Sequence, residues 1–238
     1  MIVRDRLDPA DVERMFDRIA GPYDLMNRLM TAGLDRHWRA LAARESGVGR
    51  GADVLDACCG TGDLALELAR LVGRNGHVTG LDFSAEMLRR AERKSRREDA
   101  AEVRWVRGDA TAMPFDAGSF AAATIAFGLR NLSDPVRGLR EMRRVVKPGG
   151  RSVVLEFVRP PENLVGGAYR VYLRTLLPAI GGALSGQPAA YRYLSDTVDS
   201  YRTPDELRAM AAAAGWSHVS YKGLAMGTVG ILSGGSLD

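Results

Sequence analysis

The chain is poor in the residues that metal sites and disulfide frameworks require. Its 238 residues include only two cysteines and three histidines. The cysteines, Cys58 and Cys59, are neighbours in the sequence, and no cysteine or histidine spacing fits a zinc site. We therefore expect no metal, and we interpret the cysteine pair as small polarisable fillers rather than as a redox or metal-binding pair.

Long hydrophobic runs are also missing. A helix that crosses a bilayer needs about 20 apolar residues. The nearest candidate is LLPAIGGAL (residues 176–184), which is short and is interrupted by Pro178 and two glycines. The N-terminal stretch is charged and lacks the apolar centre of a secretory signal. The sequence thus predicts a cytoplasmic protein, and peripheral contact with the inner face of a membrane stays open.

Lysine is scarce in a chain that is nevertheless basic. Only three of the 33 basic residues are lysine, and the net charge is +4. Arginine binds phosphate well, so the composition alone is compatible with a nucleic-acid partner. Acidic residues are interspersed along the chain, however, and no nucleic-acid-binding module is recognisable. The basic cluster at residues 89–99 is typical of the solvated face of a helix, and we expect no nucleic-acid partner.

Short apolar runs alternate with amphipathic stretches between Asp53 and Leu155. This alternation is typical of βαβ units and predicts a parallel sheet with helices on both faces. After Thr203 and Pro204, which are suited to open a helix, two further apolar runs predict a closing hairpin. The expected fold class is α/β, a doubly wound, mostly parallel sheet of seven strands in a Rossmann-like arrangement.

Two flanks lie outside this predicted core. Residues 1–45 predict a helical N-terminal flank, and residues 159–202 predict a tyrosine-rich, partly helical insertion that covers the substrate side. We see no repeat and no low-complexity linker. The economical interpretation is a single domain over residues 1–238.

The stretch DACCGTGDLA (residues 56–65) places Gly60 and Gly62 between a predicted strand and a predicted helix. Glycine lets the backbone approach a ligand closely, and a helix N-terminus offers free N–H groups. The spacing also fits the pattern of dinucleotide-binding proteins, and Asp82, at the end of the second strand, would bind a ribose in either case. The turn alone therefore leaves NAD and S-adenosylmethionine as alternatives.

Two further carboxylates favour S-adenosylmethionine. Asp56, at the end of the first strand, would repel a pyrophosphate but attract a sulfonium and an ammonium group. Asp109 ends the third strand, where it could accept from an adenine amino group beside the backbone of Ala110. Together with the terminal hairpin, these residues favour a class I methyltransferase over an NAD-dependent dehydrogenase.

Four long stretches carry a more specific signal. They are MFDRIAGPYDLMNRLMTAGLDRHWR (15–39), GLDFSAEML (80–88), FGLRNLSDPVRGLREMRRVVKPGGRSVVLEF (127–157) and YRYLSDTVDSY (191–201). In this order they resemble the ubiquinone/menaquinone biosynthesis C-methyltransferase family over nearly the whole chain. Two positions depart from the family's usual pattern: Ala121 stands in place of an aspartate and Asp35 in place of a histidine. Because of the second departure, no catalytic role is carried over to His37.

The resemblance implies methyl transfer from S-adenosylmethionine to a ring carbon of a polyprenylated quinol, with S-adenosylhomocysteine as the other product. The expected substrate is demethylmenaquinol, and the equivalent benzoquinol of the ubiquinone pathway or another small molecule is the alternative. No metal is required, because the methyl group is already activated. Peripheral membrane contact follows from a membrane-dissolved substrate, and a homodimer is compatible with the resemblance.

The predicted catalytic residues are Arg130 and Asn131, after the fourth strand, and Tyr23 in the N-terminal flank. Arg130 would stabilise a developing quinolate or polarise a water, because a guanidinium stays protonated. Asn131 would orient a quinol oxygen, and Tyr23 would close over the ring or the sulfonium. The predicted cofactor-binding residues are Asp56, Gly60, Thr61, Gly62, Asp82, Phe83, Asp109, Ala110 and Phe127. A prenyl tunnel, with ordinary helix packing as the alternative, would be lined by Leu25, Met26, Leu29, Met30, Tyr169, Tyr172 and residues 176–184.

Overall fold

The computed structural model describes residues 9–21, 23–31, 33–96, 101–176, 178 and 195–235. Seven strands form one sheet: β1 (Asp53–Ala57), β2 (His77–Asp82), β3 (Val103–Arg107), β4 (Phe120–Ala126), β5 (Val146–Phe157), β6 (Ser217–Leu224) and β7 (Val229–Gly235). The helices are α1 (Pro9–Ile19), α2 (Tyr23–Met30), α3 (Leu34–Glu45), α4 (Asp63–Val72), α5 (Ala85–Ser95), α6 (Pro135–Val145), α7 (Leu164–Val171) and α8 (Pro204–Ala213). Shorter helical turns cover Leu129–Asn131, Tyr172–Leu176 and residues 195–199.

The strand order is β3-β2-β1-β4-β5-β7-β6. The pairs from β3 to β5 are parallel, and only β7 runs antiparallel to its two neighbours. The predicted doubly wound, mostly parallel seven-stranded sheet is confirmed. The order reverses between β1 and β4, and open α/β sheets bind ligands at such a reversal, outside the carboxyl ends of the strands.

Local sequence signals set the ends of the helices that were predicted. The Asp134 side chain accepts from the backbone N–H of Arg137 at 3.0 Å, directly before Pro135 at the start of α6. Thr203 and Glu206 form a reciprocal capping box at the start of α8. Both caps satisfy backbone donors that the first helical turn leaves without an intrahelical partner.

The sheet buries apolar side chains on both faces. One face packs Leu55 and Ile125 against Leu139 of α6 and Leu207 of α8. Trp216, just before β6, joins this cluster, and its indole N–H donates to the carbonyl of Leu139 at 2.9 Å. The second face packs against α3 and α4 through a separate cluster of small and aliphatic residues. The rigid sheet therefore holds the ends of β1, β2, β4 and β5 in fixed positions.

Both predicted flanks contain helices. Helices α1 to α3 occupy the N-terminal flank, and α7 with the following turn occupies the start of the predicted insertion. Residue 177 and residues 179–194 lie outside the described part of the chain. No described helix is long and apolar enough to cross a membrane. The division into a core and two flanks stays a prediction.

Candidate active site

A narrow cavity lies at the carboxyl edge of the sheet, between helices α1 and α2 and the ends of β1, β2 and β4. It is lined by Phe16, Tyr23, Cys58, Gly60, Asp82, Phe83, Met87, Ala126, Phe127, Gly128, Asn131 and Leu132. The cavity therefore brings together half of the predicted site residues. The others, Asp56, Thr61, Gly62, Asp109, Ala110 and Arg130, are not among its lining residues.

The two glycines of the turn have different structural roles. Both have left-handed backbones, with φ of 54° at Gly60 and 85° at Gly62. A Cβ on Gly62 would come within 2.6 Å of the Trp105 ring, whereas a Cβ on Gly60 would meet nothing within 4 Å. Gly62 is thus required for packing, and Gly60 leaves space for a ligand beside the backbone.

Asp82 ties this turn to the end of β2. Its carboxylate accepts from the backbone N–H of Gly60 at 2.8 Å and from that of Ser84 at 2.9 Å. The side chain is buried and lines the cavity. Asp82 therefore connects the glycine turn to the end of β2 at the cavity, and its contact with a ribose stays a prediction.

Asp109 lies in a turn that follows β3. Its two oxygens accept from the backbone N–H and from the hydroxyl of Thr111, both at 2.8 Å. The residue is exposed, and Ala110 beside it is buried. The structure thus gives Asp109 a local role in the turn, and its contact with adenine stays a prediction.

Asp56 is a buried carboxylate at the end of β1. Its Oδ1 accepts from the hydroxyl of Thr124 at 2.8 Å, and its Oδ2 has no hydrogen-bond partner among the described residues. Burial raises its pKa from an ordinary 3.8 to about 7, although the hydrogen bond from Thr124 and the charge of Arg39 oppose the rise. An unmatched buried oxygen of this kind can accept from a cationic donor.

Arg130 is buried in an ion pair that the sequence pattern did not predict. Its Nη1 donates to Glu156 Oε1 at 2.5 Å and to the carbonyl of Phe127 at 2.6 Å. The backbone N–H of Arg130 donates to the other Glu156 oxygen at 3.2 Å. Burial lowers the pKa of Arg130, but the charge of Glu156 outweighs burial and raises it, so the guanidinium stays protonated.

The ion pair holds an unusual backbone turn after β4. Phe127 has a φ of 58°, a left-handed conformation that a bulky residue adopts only when its surroundings impose it. Its carbonyl accepts from Arg130 and, at 3.4 Å, from Asn131 Nδ2. A Cβ on Gly128 would come within 2.5 Å of Cys58 Cβ, so glycine is required there. As a result, Phe127, Gly128 and Asn131 form one wall of the cavity.

Polar bonds fasten α1 and α2 over the cavity. The Thr61 hydroxyl donates to Asp24 of α2 at 2.5 Å, and Lys94 of α5 contacts the same carboxylate at 2.7 Å. The Ser84 hydroxyl donates to Asp17 of α1 at 2.5 Å. Sequence reasoning missed Asp17, Asp24 and Lys94, because each pairs with a residue far away in the chain.

Aromatic rings close the cavity beneath these helices. Phe16 makes edge-to-face contacts with Tyr23 and Phe83, at centroid distances of 6.1 and 6.3 Å. Burial raises the pKa of Tyr23, so its phenol is a hydrogen-bond donor at neutral pH rather than a base. The enclosed volume is about 40 Å³, well below the roughly 300–1,000 Å³ of ligand pockets. This enclosed volume is smaller than a cofactor-sized ligand needs.

Both cysteines are free thiols, as their interpretation as fillers requires. Burial raises the pKa of Cys58 and of Cys59 well above the ordinary thiol value. The described residues contain no group of three or more histidine, cysteine, aspartate or glutamate side chains that could hold a metal ion.

The predicted prenyl tunnel is described only in part. Leu25 is 54% exposed, and the rings of Tyr169 and Tyr172 stack at a centroid distance of 6.0 Å. The side chains of Met26, Leu29 and Met30 and most of residues 176–184 lie outside the described structure. The tunnel stays a prediction.

The sequence profile of the ubiE/COQ5 methyltransferase family matches residues 4–235. The chain belongs to this family. It is 46% identical over 220 residues to the demethylmenaquinone methyltransferase of Thermus thermophilus, covering 91% of this chain and 97% of that protein. It is 42% identical over 224 residues to the ubiquinone/menaquinone biosynthesis C-methyltransferase of Syntrophotalea carbinolica, covering 94% and 93%. The family membership confirms the resemblance found in the sequence.

Solved structures agree on the fold. An S-adenosylmethionine-dependent methyltransferase from Aquifex aeolicus matches with a TM-score of 0.59 at 18% identity, covering 98% of this chain and 100% of that one. A second one, from Thermotoga maritima, matches with a TM-score of 0.64 at 17% identity, covering 94% and 99%. These similarities show the class I fold, and the family match shows an S-adenosylmethionine-dependent methyltransferase rather than an NAD-dependent dehydrogenase.

The buried carboxylate of Asp56 makes stability depend on pH. With a pKa of about 7 in the folded state, Asp56 keeps a proton that the unfolded chain releases near pH 4. Its contribution to stability is complete below pH 4 and is lost as the pH rises through 7. An asparagine at position 56 does not titrate, so the variant escapes this loss. The free energy of unfolding of Asp56→Asn, relative to wild type, should therefore increase by up to about 4 kcal/mol between pH 4 and pH 8.

Urea unfolding of both proteins at several pH values measures this difference. Replacement of the exposed Asp116 by asparagine makes the same chemical change at the surface and serves as the control. If the stability difference between Asp56→Asn and wild type did not change with pH, the raised pKa of Asp56 in the folded state would be contradicted.

Proposed function

We propose that the protein methylates a ring carbon of a polyprenylated quinol, with S-adenosylmethionine as donor and S-adenosylhomocysteine as the released product. Demethylmenaquinol is the proposed substrate. The supporting observation is similarity over almost the whole chain to two proteins named demethylmenaquinone methyltransferase, at 46% and 41% identity. Relatives named for both quinone pathways, at up to 42% identity, make the equivalent benzoquinol the second candidate.

The glycine turn and its neighbours suit the cofactor. Asp56 has a buried oxygen without a donor, Gly60 borders open space, and Asp82 ends β2 at the cavity. These features match an ammonium group, a close backbone contact and a ribose. The cofactor, when bound, supplies a methyl group that its sulfonium already activates. We assign the rest of the binding surface to Thr61, Gly62, Phe83, Asp109, Ala110 and Phe127.

Asn131 is the residue that we assign to the quinol. A ring carbon becomes nucleophilic when the neighbouring hydroxyl gives up its proton, so the enzyme has to hold that hydroxyl. Asn131 lines the cavity, and its Oδ1 is buried with no hydrogen-bond donor in the described part of the chain. This oxygen can accept the hydrogen bond of a quinol hydroxyl and so orient the ring.

Arg130 provides positive charge behind Asn131. Its Nη1 is committed to Glu156, but its buried Nε has no acceptor among the residues that the structure describes. We propose that this remaining donor and the protonated guanidinium stabilise the developing quinolate, directly or through a water. Tyr23, a protonated phenol on the opposite wall, closes over the ring. No metal is part of the proposal, because the methyl donor needs no Lewis acid.

The surface around the site fits a membrane-dissolved substrate. Leu164 and Val171, two helical turns apart on α7, are 93% and 61% exposed, and Met226 in the β6–β7 turn is 77% exposed. Leu224 at the end of β6 and Phe157 at the end of β5 both pair with Val229, so the β6–β7 turn lies at the carboxyl edge with the cavity. We propose that this edge contacts the cytoplasmic face of the membrane. A homodimer and the lack of a nucleic-acid partner stay predictions.

The choice of quinol can be measured directly. Purified protein is given reduced demethylmenaquinol or the corresponding demethoxybenzoquinol analogue, each with radiolabelled S-adenosylmethionine. We expect label in the naphthoquinol product and much less in the benzoquinol. Equal or greater transfer to the benzoquinol would shift the assignment to the second candidate, and no transfer to either would overturn quinol methylation.

Substitutions at Asn131 and Arg130 test the proposed chemistry. Asn131→Ala should lower kcat by about 100-fold, the usual loss for one stabilising hydrogen-bonding group, with little change in cofactor affinity. Arg130→Ala should lower kcat as well, but it also breaks a buried ion pair, which costs about 3–5 kcal/mol. Arg130→Lys keeps the charge and is measured beside it.

Calorimetric titration with S-adenosylmethionine separates lost chemistry from lost folding. Arg137→Ala, at an exposed position of α6, is the matched control and should behave like wild type. Near-wild-type turnover in Asn131→Ala or in a folded Arg130→Ala variant would remove that residue from the mechanism.

Membrane contact predicts a substrate-length effect. The double variant Leu164→Asp, Val171→Asp should lose about tenfold or more of its binding to lipid vesicles, since each buried aliphatic side chain contributes roughly 1.5–3 kcal/mol. Turnover of a long-chain quinol in vesicles should fall in parallel, while turnover of a short-chain, water-soluble analogue should not. Ala117→Asp, before β4 at the opposite edge of the sheet, adds a charge without touching this surface. Unchanged vesicle binding in the double variant would argue against this surface.

A further inference from the structure

Arg39 is a buried cation next to the cavity to which sequence reasoning gave no role. It lies on α3 and is only 6% exposed. Its guanidinium carbon sits over the ring of Phe127, 5.1 Å from the centroid, and Phe127 is part of the cavity wall. The guanidinium is therefore separated from the cavity by no more than one aromatic ring.

This guanidinium lacks a strong acceptor. Its ion-pair partner is Asp35, whose Oδ2 is 3.7 Å from Arg39 Nε and so beyond hydrogen-bond distance. The other oxygen of Asp35 already accepts from the hydroxyl of Thr31 at 3.1 Å. Nε is buried without a hydrogen-bond partner anywhere in the described ranges. A buried cation with an unmatched donor is costly, so an anionic partner at this position would stabilise it.

The charge of Arg39 acts on groups around the glycine turn. It lowers the pKa of Asp56, although burial raises that pKa overall. At Asp63, burial raises the pKa, but the charges of Arg39 and Lys94 outweigh burial and lower the pKa overall. Arg39 also lowers the pKa of Tyr23, although burial raises that pKa overall. Its charge therefore reaches several groups around the cavity, and Asp56 is a buried carboxyl group within that reach whose Oδ2 has no partner among the described residues.

Two buried groups of opposite charge near one ligand site, each with an unmatched polar atom, form the complement of a zwitterion. We propose that Arg39 binds the carboxylate of the methionine end of S-adenosylmethionine, opposite Asp56, which accepts from the ammonium group. This inference rests on the proposed cofactor site. A quinolate oxygen is the other possible anion, but we assign the quinol to Asn131 and Arg130, which carry unmatched polar atoms of their own.

Binding measurements without any quinol test this assignment. Wild type, Arg39→Met and the control Arg36→Met, on the same helix but exposed, are titrated with S-adenosylmethionine and with decarboxylated S-adenosylmethionine. Wild type should prefer the carboxylated form by about tenfold or more, as expected for a charged hydrogen bond. Arg39→Met should lose that preference, with weaker binding of S-adenosylmethionine and unchanged or tighter binding of the decarboxylated form. Arg36→Met should match wild type.

Three results would overturn the proposal: a wild type that does not distinguish the two ligands, an Arg39→Met variant that loses affinity for both equally, or one that loses affinity for neither. Failure of wild type to bind either ligand would instead overturn the cofactor site itself. Thermal unfolding without ligand shows whether each variant is folded. If Arg39→Met does not fold, Arg39→Lys is used, and it should keep part of the preference because it keeps the charge but not the bidentate geometry.

Discussion

The buried ion pair between Arg130 and Glu156 joins the carboxyl ends of β4 and β5, and one wall of the candidate active site depends on it. The pair and the Phe127 carbonyl hold the turn after β4 in a left-handed conformation that Phe127 would not adopt alone. That conformation presents Phe127, Gly128 and Asn131 to the cavity. Glu156 thus acts on the site through Arg130. The family-like stretch around Arg130 and Asn131 therefore has a structural role as well as the proposed chemical one.

The opposite wall is held in a different way. Helices α1 and α2 rest on Asp17, Asp24 and a few aromatic edges, whereas α6 packs into the main core through Leu139 and Met142. Partly buried polar bonds open at lower cost than a packed apolar core does. The contacts that hold α1 and α2 are therefore easier to open than those that hold α6.

Much of the fold and part of the site could be predicted from the sequence. Alternating apolar runs indicated the sheet, Asp134 and Thr203 marked helix starts, and the ends of parallel strands predicted that Gly60, Asp82 and Asn131 would converge. The missing information was long-range. Arg39, Glu156 and Lys94 carry no local signal, because their partners lie on other elements and only the packed structure brings them together. For the same reason the sequence suggested that Arg130 faces the substrate, while the structure shows most of its hydrogen bonding directed to Glu156 and Phe127.

Cys58 combines a cavity position with a pKa that burial raises well above the usual thiol value. Quinones, the oxidised forms of the proposed substrates, are electrophiles that add to thiolates, and a protonated thiol is a poor nucleophile. The same desolvation that lets Cys58 fill space beside Gly128 therefore disfavours its addition to a quinone. An enzyme whose substrate and product both interconvert with electrophilic quinones can in this way carry a cysteine in its active site without being alkylated there.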